Sequence, residues 1–254
     1  MLRIFILGTG NLGGHLVRYF DSLKKSETSD VALKGYSNAS KKVLPGINAP
    51  LIENIAQIPE VDMILLAVGD NQIEVLNSQL PLDGTTIVHT SGSISLDALN
   101  HHKNRGVLYL PQSFSTDRKP HFNEITACLE ASNDHVLQQL GLLGNTLSRK
   151  RKYLNSLQRK NLHLAAVYIN NFVNHCYTKG FEILEKENIP TELLLPLMQE
   201  TLEKANDLSP ANAQTGPAVR GDSITIQSHF DSLSTSDQEM YAAITRSINK
   251  KINL

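Results

Sequence analysis

The sequence predicts a doubly wound parallel α/β sheet followed by a smaller all-helical domain, and three observations carry that prediction. A strand, a glycine-rich turn and a helix start stand together at the head of the chain, Leu2-Arg-Ile-Phe-Ile-Leu-Gly8-Thr-Gly10-Asn-Leu-Gly13-Gly14. Short apolar runs then alternate with helical segments, the signature of a parallel sheet covered on both faces. Near Ser156 the strands stop and long helical patterns take over. The expected division is residues 1–153 for the sheet domain and 154–254 for the helical one, and a chain of 254 residues has the length for both.

Each element follows from its residues. Ile4 to Leu7 is apolar enough for a buried parallel strand, Gly8 permits the tight turn that leaves it, and a first helix is expected over Leu12 to Ser22. Gly10 lets the backbone approach a pyrophosphate, and Gly13 lets the helix pack closely on the strand. With Thr9, Asn11 and Leu12 these residues form a dinucleotide-type phosphate turn, because the unpaired N–H groups at a helix start suit an anion. Val31 to Tyr36 is the second strand. An NAD-type site would place a carboxylate at its end, on the ribose 2′-hydroxyl. Here Ser37-Asn38-Ala39-Ser40-Lys41-Lys42 supplies hydroxyls, an amide and two cations, a group that favours a 2′-phosphate and so NADP, with Ser37 and Asn38 as the expected readers. An ordinary polar turn with solvated lysines is the plainer alternative.

Val61 to Val68 is a near-continuous apolar strand with Gly69-Asp70-Asn71 at its carboxyl end, so Val68 and Gly69 join the expected cofactor set. Thr85 to Thr90 and Gly106 to Leu110 are further strands, and the helix around Asp134 to Leu143, after Ile125 to Glu130, finishes the first domain. Ligands of such sheets bind beyond the carboxyl ends of the strands. Ser91 and Gly92 fall there, as a catalytic contact or as a simple turn. Leu157 to Asn188 reads as one long helix with a single glycine, ended by Pro190; further helices are expected over Leu193 to Asn206 and from Asp222 onward. A helix of that length and apolarity suits burial against a second copy, which predicts a homodimer.

Along the long helix His163, Asn170 and Asn174 recur at offsets that bring them within about 40° at ~100° per residue, with Arg159 one turn earlier. His163 has the ordinary chemistry of a proton donor or acceptor near neutrality. The alternatives are a core histidine bonded to a carbonyl, or polar contacts across a dimer seam. The segment Gly216-Pro-Ala-Val-Arg220-Gly-Asp222 presents a guanidinium suited to a carboxylate or phosphate, and Asp222 suits a helix cap.

Composition bounds the function. A net charge of −1 and a pI of about 6.8 offer no field for nucleic acid or an anionic membrane. The first strand begins directly after Met1, and no apolar run reaches spanning length, so a cytoplasmic location is expected. Cys128 and Cys176 fit no metal or disulfide spacing, and no metal site is expected. The absence of a Gly-x-Ser-x-Gly elbow or a P-loop argues against hydrolase and kinase chemistry.

Three segments together resemble a known group. The Gly8 to Gly14 turn with Asn11, the His89-Thr-Ser-Gly-Ser93 strand end with Gln112-Ser-Phe-Ser115, and Gly216-Pro-Ala-Val-Arg-Gly-Asp222 with His229 are similar to the Rossmann-like/DUF2520 family. That family stands with NADP oxidoreductases of the pyrroline-5-carboxylate reductase and 6-phosphogluconate dehydrogenase type. The resemblance implies an amino-terminal NADP-binding Rossmann domain, a helical dimer-forming carboxyl domain and an unassigned reaction; His163 inherits a candidate role from the comparable helix. The combined expectation is hydride transfer between NADP(H) and a small carbonyl, imine or hydroxy compound, with His163, Asn170, Ser91 and Arg220 facing the substrate. A non-catalytic NADP-binding sensor or regulatory dimer is the competing reading.

Overall fold

The computed structural model describes residues 1–23, 29–80 and 84–254. Its packing divides the chain into two compact units, Met1–Cys176 and Tyr177–Leu254. The first holds seven strands, β1 (Leu2–Leu7), β2 (Val31–Ser37), β3 (Met63–Leu66), β4 (Thr86–His89), β5 (Arg105–Tyr109), β6 (Ala127–Ala131) and β7 (Arg151–Tyr153), in the order β2-β1-β3-β4-β5-β6-β7. Helices α1 (Asn11–Ser22), α2 (Asp70–Asn77) and α3 (Asp134–Leu147) pack on it, and α4 (Ser156–Ala166) follows β7.

Period-two alternation explains why both faces are covered. In β1, Ile4 and Ile6 join one core with Leu16, Val17 and Phe20 of α1 and Leu140 and Leu143 of α3. Phe5 and Leu7 point the other way, into a second core with Ile64, Leu66 and Ile73 of α2. The expected parallel sheet is present from β2 to β5, but β6 runs antiparallel to β5. Between those two strands the chain forms a 3-10 turn, Phe122–Glu124, rather than an α-helix, so there is no crossover to return it in the same direction. Strand β7, parallel to β6, went unanticipated because its three residues are all exposed and carry no apolar signal.

The boundary also differs from the sequence expectation, falling at 176/177 rather than 153/154. Its cause is the burial of Arg159 and the packing of Leu162 against Val107, Tyr109 and Cys128, which makes α4 part of the sheet unit. Past α4 the backbone becomes π-helical over Val167–Phe172 before α5 (Val173–Lys186). A π turn is wider than an α turn, so the constant 100° step that aligned Asn170 and Asn174 with His163 does not hold across it.

The second unit is all helical: the remainder of α5, then α6 (Leu195–Leu208), α7 (Pro210–Ala213), α8 (Pro217–Arg220), α9 (Ser223–Asp231) and α10 (Thr235–Ile248). Lys179 pairs with Asp237 at 3.1 Å, and the Asn249 amide donates to the Ala218 carbonyl at 2.9 Å. Among the described residues no helix is long and apolar enough to cross a membrane.

Candidate functional site

The carboxyl ends of β1, β2 and β3 open into a cavity of about 550 Å³. Gly8, Thr9, Gly10, Ser37, Asn38, Val68 and Gly69 line it, so the structure brings together the turn residues from three strands that the sequence placed there. Asn11, Leu12 and Gly13 start α1 beside them. Each glycine has its own reason. At Gly13 an added Cβ would fall 2.2 Å from the Gly8 carbonyl oxygen, and at Gly8 it would fall 2.2 Å from the Ala67 oxygen with φ at +97°. Those two serve packing and turning. At Gly10 nothing lies within 4 Å of the missing Cβ, so the space is left for a ligand. Among the described residues no side chain caps α1 or α2, whose N-caps are Gly10 and Gly69; the Gln72 N–H donates to the Gly69 carbonyl (2.8 Å), and the earlier N–H groups of both first turns suit an anion. These features fit a dinucleotide pyrophosphate.

At the end of β2 the expected readers divide. Ser37 is buried at the rim, but the Asn38 side chain builds its own loop. Its Oδ1 accepts from Ser40 Oγ (2.9 Å) and the Lys42 N–H (3.1 Å), while its Nδ2 donates to the Lys42 carbonyl (2.9 Å). The groups this loop presents to the cavity are Ser40 and Lys41, the latter loosely paired with Glu53 at 3.6 Å. Both partners of that pair are more than half exposed, so the lysine is cheaply released to another anion.

The second part of the site lies beyond β4 and β5. Ser93 Oγ donates to Asp70 Oδ2 at 2.5 Å, tying the 91–95 turn to the start of α2 next to Gly69. Within the turn, Ser91 Oγ accepts the Ser93 and Ile94 N–H groups, both at 3.1 Å, so the serine hydroxyl is engaged in shaping the backbone. His89 braces it from beneath: its Nδ1 accepts the Ser91 N–H (3.2 Å), and its Nε2 faces the Ser95 carbonyl (3.3 Å). Burial, reinforced by the Arg159 charge, pulls His89 down to about 4, which keeps the ring neutral and consistent with one accepting and one donating nitrogen.

Arg159, expected on a cleft-facing stripe, is instead a buried strut. Its guanidinium pairs with Glu130 of β6 and donates to the Ser91 carbonyl (3.1 Å) and to the Ile94 carbonyl. Ser156 Oγ donates to the same carboxylate at 2.8 Å. One turn after Arg159, His163 meets Tyr109 of β5, with 3.1 Å between its Nδ1 and the phenolic oxygen. Gly92 accommodates both rings, since a Cβ there would lie 2.7 Å from His163 and 2.8 Å from Tyr109. Asn170 is exposed in the π-helical stretch. Arg220 belongs to the second unit, at the end of α8 between Gly216 (φ +109°) and Gly221 (φ +68°), glycines that hold its loop in left-handed geometry. There Asp222 caps α9, accepting from the Thr225 N–H (3.1 Å) and hydroxyl (2.8 Å). Those bonds hold the Asp222 carboxyl below the usual range.

Sequence reading missed Tyr109, Glu130 and Glu53. Each partner is far away in the chain, 54 residues for Tyr109 and His163, and only the fold makes them neighbours. Among the described residues no group of three or more His, Cys, Asp or Glu side chains is arranged to hold a metal.

A family model described as a domain of unknown function, DUF2520, matches residues 125–248. No curated protein matches the chain. Among solved structures, BF3122 of Bacteroides fragilis, described as a candidate NADP oxidoreductase, is 30% identical with a TM-score of 0.83, and the alignment covers 98% of each chain. TM1727 of Thermotoga maritima is 19% identical with a TM-score of 0.71, over 97% of each chain. An imine reductase of Myxococcus stipitatus, solved with NADP+, is 16% identical with a TM-score of 0.71, covering 98% of this chain and 94% of its own.

Proposed function

The chain belongs to the DUF2520 family, and on that premise we propose that it is an NADP(H)-dependent oxidoreductase that reduces a small carbonyl or imine compound, or oxidises the corresponding product. The observation that carries this reading is the cavity at the strand ends: two uncapped helix starts, open space at Gly10, and hydroxyls with a lysine where a carboxylate would select NAD. Gly8 to Gly13, Val68 and Gly69 would hold the pyrophosphate side of NADP(H). Ser37, Ser40 and Lys41 would hold its phosphorylated ribose. When bound, the cofactor supplies or accepts hydride.

The protein's own part is to hold the substrate and manage the proton. His163 would take that role, a reading supported by the bonds of Arg159, His89 and Glu130 that fix the turn it packs against. Ser91 supplies backbone shape and Asn170 an exposed amide; on the second unit, Arg220 carries a guanidinium suited to an acidic group. The class of substrate is drawn from neighbours whose names state imine reduction and reductive amination. We further propose that the protein works as a homodimer, because the helical unit leaves Ile224 84% and Leu202 71% exposed, apolar surface that a second copy would cover.

The test is NADPH absorbance in the presence of a panel of small ketones and cyclic imines, with wild type and His163→Gln. The expected result is substrate-dependent oxidation, slowed about 100-fold or more in the variant with NADPH affinity unchanged. Full turnover in His163→Gln would remove the histidine from the mechanism. Tight NADPH binding without oxidation of any substrate would identify a sensor instead.

A further inference from the structure

Tyr109 closes β5 and packs with Val107 and Cys128 in a small apolar cluster, only 7% exposed. Burial raises its phenol above the ordinary tyrosine range, so it is protonated at neutral pH and has a proton to place. Among the described residues its hydroxyl has one hydrogen-bond partner, His163 Nδ1 at 3.1 Å. If Nδ1 carried the proton and donated to the phenol, the phenolic hydrogen would be left without an acceptor among the described residues. A buried donor left unmade is the costlier arrangement, so the direction of the bond follows: the phenol donates and Nδ1 accepts.

We infer that Tyr109 is a positioning residue that holds His163 as its Nε2–H tautomer and so presents a neutral hydrogen-bond donor to the substrate's carbonyl oxygen or imine nitrogen. The geometry supports this on three further counts. Nε2 of His163 has no hydrogen-bond partner among the described residues, leaving it available to a ligand. Gly92 seats both rings against bare backbone, with Cγ and Nδ1 of His163 only 2.7 Å from where a Cβ would stand. The two rings also meet edge to face, at 82° and 5.8 Å between centroids. The second half of this inference, presentation to substrate, rests on the proposed function; the tautomer does not.

The experiment is nitrogen-15 NMR of the full-length protein labelled at histidine, with His163 assigned by the signals lost in His163→Gln. In wild type at mildly alkaline pH, His163 is expected to show an unprotonated Nδ1 and a protonated Nε2. In Tyr109→Phe the two tautomers are expected to mix, and kcat on a reducible probe, a five-membered cyclic imine, falls about tenfold with KM within about twofold. A wild-type spectrum with the proton on Nδ1 overturns the inference, as does a tautomer ratio unchanged by Tyr109→Phe. The wild-type spectrum decides the matter even if the variant fails to fold. Full turnover in His163→Gln would overturn the presentation to substrate while leaving the tautomer in place, whereas a wild type that binds NADPH and turns over no substrate would defeat the proposed function instead.

Discussion

Replacing Arg159 by methionine is expected to lower stability by about 3–5 kcal/mol, the usual cost of stripping one partner from a buried ion pair. Arg159 is 1% exposed, and its loss leaves the Glu130 carboxylate with Ser156 as its remaining donor among the described residues. The Ser91 and Ile94 carbonyls lose a donor at the same time, so the 91–95 turn loosens along with the fold. Arg159→Lys restores one charge but not the planar fork that serves three acceptors, and recovers less than half of the loss. Urea unfolding of the two variants against wild type reads the effect. A midpoint unchanged in Arg159→Met would mean that Glu130 is solvated in the folded protein.

The glycine turn gives the second large effect, and its two parts separate folding from binding. Gly13→Ala puts a methyl 2.2 Å from the Gly8 oxygen and 3.0 Å from Ala67 Cβ, so α1 must lift away from β1. A loss of about 3 kcal/mol is expected, at the upper end of overpacking effects because the clash is with backbone. Gly10→Ala meets open space, and the backbone there has φ −64°, which alanine adopts freely. Its stability should fall by about 1 kcal/mol at most, the cost of a poorer N-cap, whereas NADPH affinity should fall at least tenfold, about 1.4 kcal/mol, because the methyl occupies the approach to the phosphates. Thermal unfolding and calorimetric titration of the same two proteins test both halves. Equal loss of stability in both variants would contradict the division of roles.

What the sequence made legible was whatever depends on near neighbours. The Gly8 to Gly13 turn announces itself because strand, glycines and helix start are contiguous, and β1 and β3 because strands covered on both faces are almost wholly apolar. The reversal of β6 was hidden, since its direction is set by the missing crossover helix rather than by its own residues. Arg159 was legible as a polar residue on an apolar helix, but its partner Glu130 sits on a different element and only the fold shows that the charge is structural. Asn170 was misaligned for a local reason of another kind: apolar periodicity assumes α geometry and carries no mark of a π turn. Asn38 lines the cavity, yet its amide is occupied by its own loop, a local bond pattern that the sequence does not show, and Ser40 and Lys41 line the same wall.

The measurement that bears most directly on the central claim is calorimetric titration of the wild-type protein with NADPH and then with NADH, repeated on Lys41→Glu. Wild type should prefer NADPH at least tenfold, about 1.4 kcal/mol, and the lysine variant should lose most of that preference while still binding NADH. Failure of wild type to bind either dinucleotide would contradict the account and leave the glycine turn as architecture without a cofactor role, and equal affinity for both would contradict the NADP preference assigned to Lys41.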